Sequence, residues 1–187
     1  MKLSEDFSPI LPKKFYIQDT ETIAKQLLGK VLSIDNKIFC EIVETEAYLG
    51  QNDMASHSYR GLTKRNWPMF EEGGLCYVYL IYGMYFCMNV VTNKKNIGEA
   101  VLIRAVKPLE GLKKEFKLCN GPGKLTRTLK IDMSFNGKNF FDKNFCIVDM
   151  GQKYLDSQIA VSKRIGISKD QDKLLRFYIK ENKWVSK

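Results

Sequence analysis

The chain has 187 residues, 44% hydrophobic and 27% charged, enough apolar side chains for one buried core without disulfide or metal staples. No run approaches the ~18 apolar residues of a membrane span; the longest, Tyr77 to Val91, is broken by Gly83 and Asn89. Lys and Arg number 30 against 21 Asp and Glu, a formal charge of +9 that fits a polyanionic partner and equally a merely lysine-rich exterior.

Met1 to Tyr16 carries acids, Pro9 and Pro12 but no apolar h-region. It reads as an irregular arm, over residues 1–14, with no signal peptide, so the expected location is cytoplasmic, or nucleoid-associated if the chain is bacterial. Asp19 or Thr20 then offers a helix N-cap. Ile23, Ala24, Leu27 and Leu28 follow at helical spacing, and Gly29 closes the pattern. Lys30 to Ile34 and Ile38 to Tyr48 are strand-like around the turn sequence Asp35-Asn36-Lys37. Period-2 geometry puts Glu44, Glu46 and Tyr48 on one face of the second strand. Gln51 to Gly74 is polar and basic in its middle, a loop of the length that is usually functional or disordered.

Leu75 to Ile81 and Tyr85 to Val91 predict a β-hairpin with Tyr82-Gly83-Met84 near its tip. Ala100 to Val106 predicts a strand carrying Arg104 among apolar neighbours. Leu109 to Leu118 reads as a short helix, and Gly121-Pro122 begins another. Phe145 to Asp149, Ile159 to Ile165 and Leu175 to Ile179 are further strand candidates. Strands joined mainly by turns predict an α+β fold: a single domain over residues 1–187, with a curved, mostly antiparallel sheet, short helices around it and a protruding hairpin.

Several chemistries are poorly supplied. One histidine, His57, and five scattered cysteines with no CxxC give no metal-ligand pattern, so no metal or cofactor is expected and the cysteines read as reduced core residues. Gly121-Pro122-Gly123-Lys124 is not a P-loop, since Leu118 stands where the first glycine is needed and Leu125 follows the lysine. On spacing alone, Glu44 and Glu46 are a solvated strand edge, His57 is a polar loop residue and the tyrosines are packing. Arg104 is harder to place in an apolar strand, because an unpaired buried charge costs several kcal/mol; a carboxylate such as Glu46 would satisfy it. Together, a basic surface, an aromatic tip, a tyrosine-lined face and an acid–arginine pair suit an enzyme that flips a base and attacks its sugar.

The residues also carry a resemblance. Glu41-Ile-Val-Glu-Thr-Glu-Ala-Tyr-Leu-Gly50 resembles the active-site strand of the alkyladenine (3-methyladenine) DNA glycosylase family, and Leu75 to Asn89 resembles its intercalating hairpin. Ala100 to Val106, Leu118-Cys-Asn-Gly-Pro-Gly-Lys-Leu125, Leu175-Arg-Phe-Tyr-Ile179 and Trp184-Val-Ser186 are similar too. The resemblance implies a monofunctional glycosylase that removes damaged purines from double-stranded DNA and starts base excision repair, working as a monomer without a membrane. It implies Glu46 as general base and Arg104 beside the attacking water. Tyr48, His57 and Tyr79 would be walls for the extruded base, with the His57 backbone reaching its edge. Asn89 would oppose the amino group of normal guanine, Leu102 would be an apolar pocket residue and Tyr82 the wedge. The expectation is that Arg104 keeps Glu46 ionised. Among 3-methyladenine, 7-methylguanine, hypoxanthine and ethenoadenine the residues do not choose. A non-catalytic nucleic-acid-binding module of the same fold is the alternative.

Overall fold

Alternating side chains and tight turns dominate the middle of the chain, and the computed structural model, which describes residues 9–186, folds them into a sheet of antiparallel pairings. Asp19 caps helix α1 (Thr20–Gln26), its carboxylate accepting from Thr22 N at 2.8 Å, and Ile23 and Ala24 bury that helix's inner face. Strands β1 (Val31–Ile34) and β2 (Ile38–Leu49) follow. β3 (Cys76–Ile81) and β4 (Tyr85–Thr92) form the hairpin, and β5 (Glu99–Glu110) returns along β2. Helix α2 (Pro122–Leu129) opens on Pro122, whose missing N–H costs a first turn nothing. The short β6 (Phe141–Asp142) and β7 (Phe145–Val148) extend the sheet beyond β1, and β8 (Ile159–Ser162) pairs with β9 (Arg176–Ile179).

The strand order is β3-β4-β5-β2-β1-β7-β6, with β9 joined to β2 and β8. One edge of β2 is shared: β1 takes residues 38–41 and β9 takes residues 44–46, separated by a register shift between Ile42 and Glu44. That irregularity bends β2 and lets two strands dock on the same edge. One face of β2, β4 and β5 contributes Ala47, Met88, Val90, Val101 and Ile103 to the apolar core, and α1 and α2 lie against those strands.

Three expectations change. The helix expected over Leu109 to Leu118 is absent: Leu109 and Glu110 continue β5 opposite Phe39, and only Phe116–Leu118 turns as a 3₁₀ helix. Gly111 (φ +80) then passes so close to Lys37 that a Cβ would fall 2.0 Å from its carbonyl oxygen, an approach and a backbone sense that glycine allows and that a right-handed helix does not use. The strand expected over Ile159 to Ile165 stops at Ser162, because β9 supplies no partner beyond Arg176 and the Leu175 carbonyl is taken by Ala47 N at 2.8 Å. Residues 1–8 of the expected arm lie outside the described residues; Ile10 bridges to Val148, and Lys13–Phe15 forms a 3₁₀ turn instead of irregular chain.

At the hairpin tip Tyr82 (φ 50) and Gly83 (φ 68) are both left-handed, the backbone sense that matches the twist of the flanking strands. A tyrosine gives up some stability there, since its Cβ crowds the following carbonyl. It is 85% exposed, beside the exposed Leu80 and Met84.

Candidate active site

Residues directly opposite one another on paired strands project to the same face. One row crosses five strands: Tyr77 on β3, Asn89 on β4, Leu102 on β5, Glu46 on β2 and Arg176 on β9. Two residues along their strands, Tyr79, Cys87, Arg104 and Tyr48 join that face. Above it opens a cavity of about 460 Å³, lined by Tyr48, Tyr77, Tyr79, Asn89, Leu102 and Arg104 from the sheet. His57 closes it from the long loop, Tyr82 from the hairpin tip, and residues 165–169 from the β8–β9 connection.

Glu46 and Glu44 lie beneath this lining, both fully buried, which overturns the solvated-edge reading of their spacing. Glu46 Oε1 accepts from Ile165 N at 2.8 Å and lies 3.2 Å from Arg104 Nη1, while its Oε2 accepts from the Tyr48 hydroxyl at 3.0 Å. Glu44 Oε1 accepts from Arg104 Nε at 3.0 Å, Arg176 Nε at 2.7 Å and the Ser186 hydroxyl at 2.8 Å; its Oε2 accepts from Ser186 N at 2.6 Å. Arg104 therefore bridges both carboxylates. A third pair sits alongside: Arg164 donates to Asp53 at 2.5 and 2.7 Å and to the Ala47 carbonyl at 3.0 Å. Three carboxylates thus face three guanidinium groups, which is how so much charge survives away from water.

Burial pushes the Glu46 carboxyl upward, and Glu44 adds to the rise; Arg104, the Ile165 amide and the Tyr48 hydroxyl pull the other way without cancelling it. Arg104 thus acts in the direction expected of it, favouring the ionised form, but desolvation is the larger effect. Burial, then the Glu46 charge, raises Tyr48. His57 sits at the cavity mouth with Nδ1 2.9 Å from the Tyr77 hydroxyl and its ring edge-on to Tyr79 at 4.5 Å. The loss of water on its inner side, then Arg65, lowers it to about 4, so the imidazole is neutral at pH 7.

The long loop holds His57 firmly. Asn66 Nδ2 donates to the His57 carbonyl at 2.9 Å, and Asp53 accepts from Leu49 N and Ala55 N, each at 3.1 Å. That carbonyl is therefore already engaged within the protein. Asn89 is oriented by donating Nδ2 to the Tyr77 carbonyl at 3.0 Å.

Of the residues singled out in the sequence, Tyr48, His57, Tyr79, Tyr82, Asn89, Leu102 and Arg104 line one cavity, with Glu46 directly below them. Sequence reasoning missed Tyr77 as a lining residue, the Arg176–Ser186 clamp on Glu44, and the Asp53–Arg164 pair. The alternation Glu44-x-Glu46 hinted at the second carboxylate. Nothing local marks Arg164, whose partner is 111 residues away.

A family model described as methylpurine-DNA glycosylase (MPG) matches residues 14–183. A Borreliella burgdorferi (strain ZS7) protein named "Putative 3-methyladenine DNA glycosylase" is 48% identical over 186 residues, covering 95% of this chain and 100% of its own length. Proteins of the same name from Legionella pneumophila (strain Corby) and Clostridium novyi (strain NT) are 46% and 44% identical, covering 95% of this chain and 98% of their own lengths.

Proposed function

This chain belongs to the methylpurine-DNA glycosylase family, hydrolases acting on N-glycosyl bonds, and we propose that it removes alkylated or otherwise damaged purines from double-stranded DNA by base flipping and attack of an activated water. The observation that carries the reading is the Glu46–Arg104 pair, 3.2 Å apart, under a tyrosine-lined cavity of about 460 Å³.

The positive surface gathers the duplex. Tyr82 enters the stack and fills the gap left by a nucleoside that swings into the cavity. There the base lies among Tyr48, Tyr79 and His57, with Leu102 and Asn89 at its edge. Electron-rich tyrosine rings favour a cationic base by ~0.5–2 kcal/mol each, and the neutral His57 adds no opposing charge. Asn89 opposes the amino group of normal guanine.

Water is held at Glu46 Oε2, beside the Arg104 guanidinium that pairs with Oε1 of the same carboxylate. Its oxygen bonds to C1′ as the C1′–N bond breaks, the bonding pair leaves with the base and the water proton passes to Glu46. Oε2 of Glu46 accepts only the Tyr48 hydroxyl among the described residues, which leaves it a lone pair for this proton. An N-alkylated purine is already positive and departs neutral. Water is the only nucleophile, so the enzyme is monofunctional and leaves an abasic site that starts base excision repair; we propose a monomer without a cofactor.

Single-turnover excision from a 7-methylguanine duplex tests the reading. Glu46→Gln binds that duplex and leaves the bond intact, whereas excision within a few fold of wild type removes Glu46 from the mechanism. A wild-type protein that binds and never cuts is the non-catalytic module. A borohydride-trapped covalent adduct would contradict attack by water.

A further inference from the structure

Arg164 has no part in the chemistry above, yet it sits directly behind it. Its guanidinium lies 4.6 Å from the centre of the Tyr48 ring, its side chain has no exposure, and it does not line the cavity. It therefore covers the ring face turned away from the cavity. The face of Tyr48 that remains is the one a base would stack on.

A cation on one side of an aromatic ring draws π density toward itself and weakens the attraction for a second cation on the other side. An unaccompanied Arg164 would oppose the stacking of a positively charged purine. It is not unaccompanied, since both terminal nitrogens bond to Asp53. The other charges near Tyr48, Glu46 and Arg104, already balance each other.

We propose that Asp53 is a specificity-determining residue: it cancels the charge of the guanidinium that backs Tyr48, so that the ring is held flat and rigid without repelling N-alkylated, positively charged purines. The pair serves a cationic substrate class and is indifferent to neutral purines. This rests on the glycosylase reading above. A bare charge across the ring, about 8 Å from the base, changes the preference for a cationic over a neutral base on the order of tenfold.

The test reads a ratio. Single-turnover excision is measured on two duplexes that differ only in the lesion, 7-methylguanine (cationic) and hypoxanthine (neutral). Asp53→Asn is expected to lower the ratio of the first rate to the second about tenfold. Arg164→Gln leaves the carboxylate alone and moves the ratio the other way. The double variant Asp53→Asn/Arg164→Gln returns it to the wild-type value, and if one single variant fails to fold, the other, read against the wild type and the double, carries the test. Loss of the hydrogen bonds that Asp53 accepts from Leu49 N and Ala55 N slows both lesions alike and leaves the ratio in place. Where one lesion is cut too slowly to time, the ratio is read as duplex affinity in a Glu46→Gln background. A ratio constant within twofold across the variants overturns the proposal. If the wild type excises neither lesion, the glycosylase reading fails, and this inference falls with it for that separate reason.

Discussion

The cavity floor and the hairpin tip belong to the same sheet and are built by opposite means. At the floor, Glu44 and Glu46 are fully buried and each takes donors from two or more elements. At the tip, Tyr82 is 85% exposed and the turn is closed by one backbone bond, Met84 N to the Ile81 carbonyl at 3.1 Å. The floor spends stability to keep charged groups out of water in fixed positions. The tip leaves apolar surface in water and keeps few contacts to lose. A group meant for bond breaking needs the first kind of setting, and a group meant to enter a duplex needs the second.

The widest separation of the two is expected from Glu46→Gln. Excision should fall about a thousandfold, within the ~10²–10⁴ range of general-base effects. Stability should not fall with it. The raised folded pKa of Glu46 means that its favourable contribution is complete below the ordinary carboxylate value of 4.5 and is lost as pH rises through the folded value. At neutral pH the ionised group is therefore a burden, and thermal unfolding of the variant should occur at or above the wild-type temperature. The same shift places the acid limb of the excision rate above pH 4.5. A thermal midpoint well below wild type would show that the Glu46 charge supports the floor and does not strain it.

Next in size is Arg104→Ala, which strands two buried carboxylates. Denaturant unfolding should show a loss of about 3–5 kcal/mol; a loss under ~1 kcal/mol would mean Arg176 and Ser186 suffice for Glu44. The tip should answer differently. Tyr82→Ala should leave the unfolding free energy within ~0.5 kcal/mol, and weaken lesion-duplex affinity roughly tenfold with single-strand affinity nearly unchanged. Equal losses on duplex and single strand would end the wedge role.

The smallest effect lies between the two regions, at His57. Its lowered folded pKa gives stability that is present above 6.5 and lost as pH falls toward about 4. The ring is partly in solvent, so the size stays under ~1 kcal/mol. Unfolding curves of wild type and His57→Gln across that window should converge as the pH is lowered, and parallel curves would show that His57 titrates normally.

How much of this was legible beforehand depends on how local the cause is. The cap and spacing of α1, the turn at Tyr82-Gly83-Met84 and the alternation of β2 are written in neighbouring residues, and each led to the element observed. Arg104 announced itself because a guanidinium among Ile103, Ala105 and Leu102 needs an anionic partner or a wet cavity, and the fold gives it both. The end of β5 was missed because Leu109 and Leu112, three residues apart, also fit a helical spacing; what decides the matter is Phe39 and Lys37, some 70 residues away. Arg164 was missed for the same reason, since Asp53 alone explains its burial and only the folded chain brings them together.

The five-strand row has a bearing on how such a chain can change in length. Tyr77, Asn89, Leu102 and Glu46 share a face only because their registers agree. One codon inserted within β4 or β5 would invert every later side chain of that strand, driving Asn89 or Arg104 toward helix α2 and lifting valines into the cavity. Growth and loss of residues are therefore confined to the connections; within the stretch from 51 to 74, Asp53, Ser58 and Met69 are buried against the rest of the fold, and the largely exposed turn at 59–65 is where the chain has room to change in size.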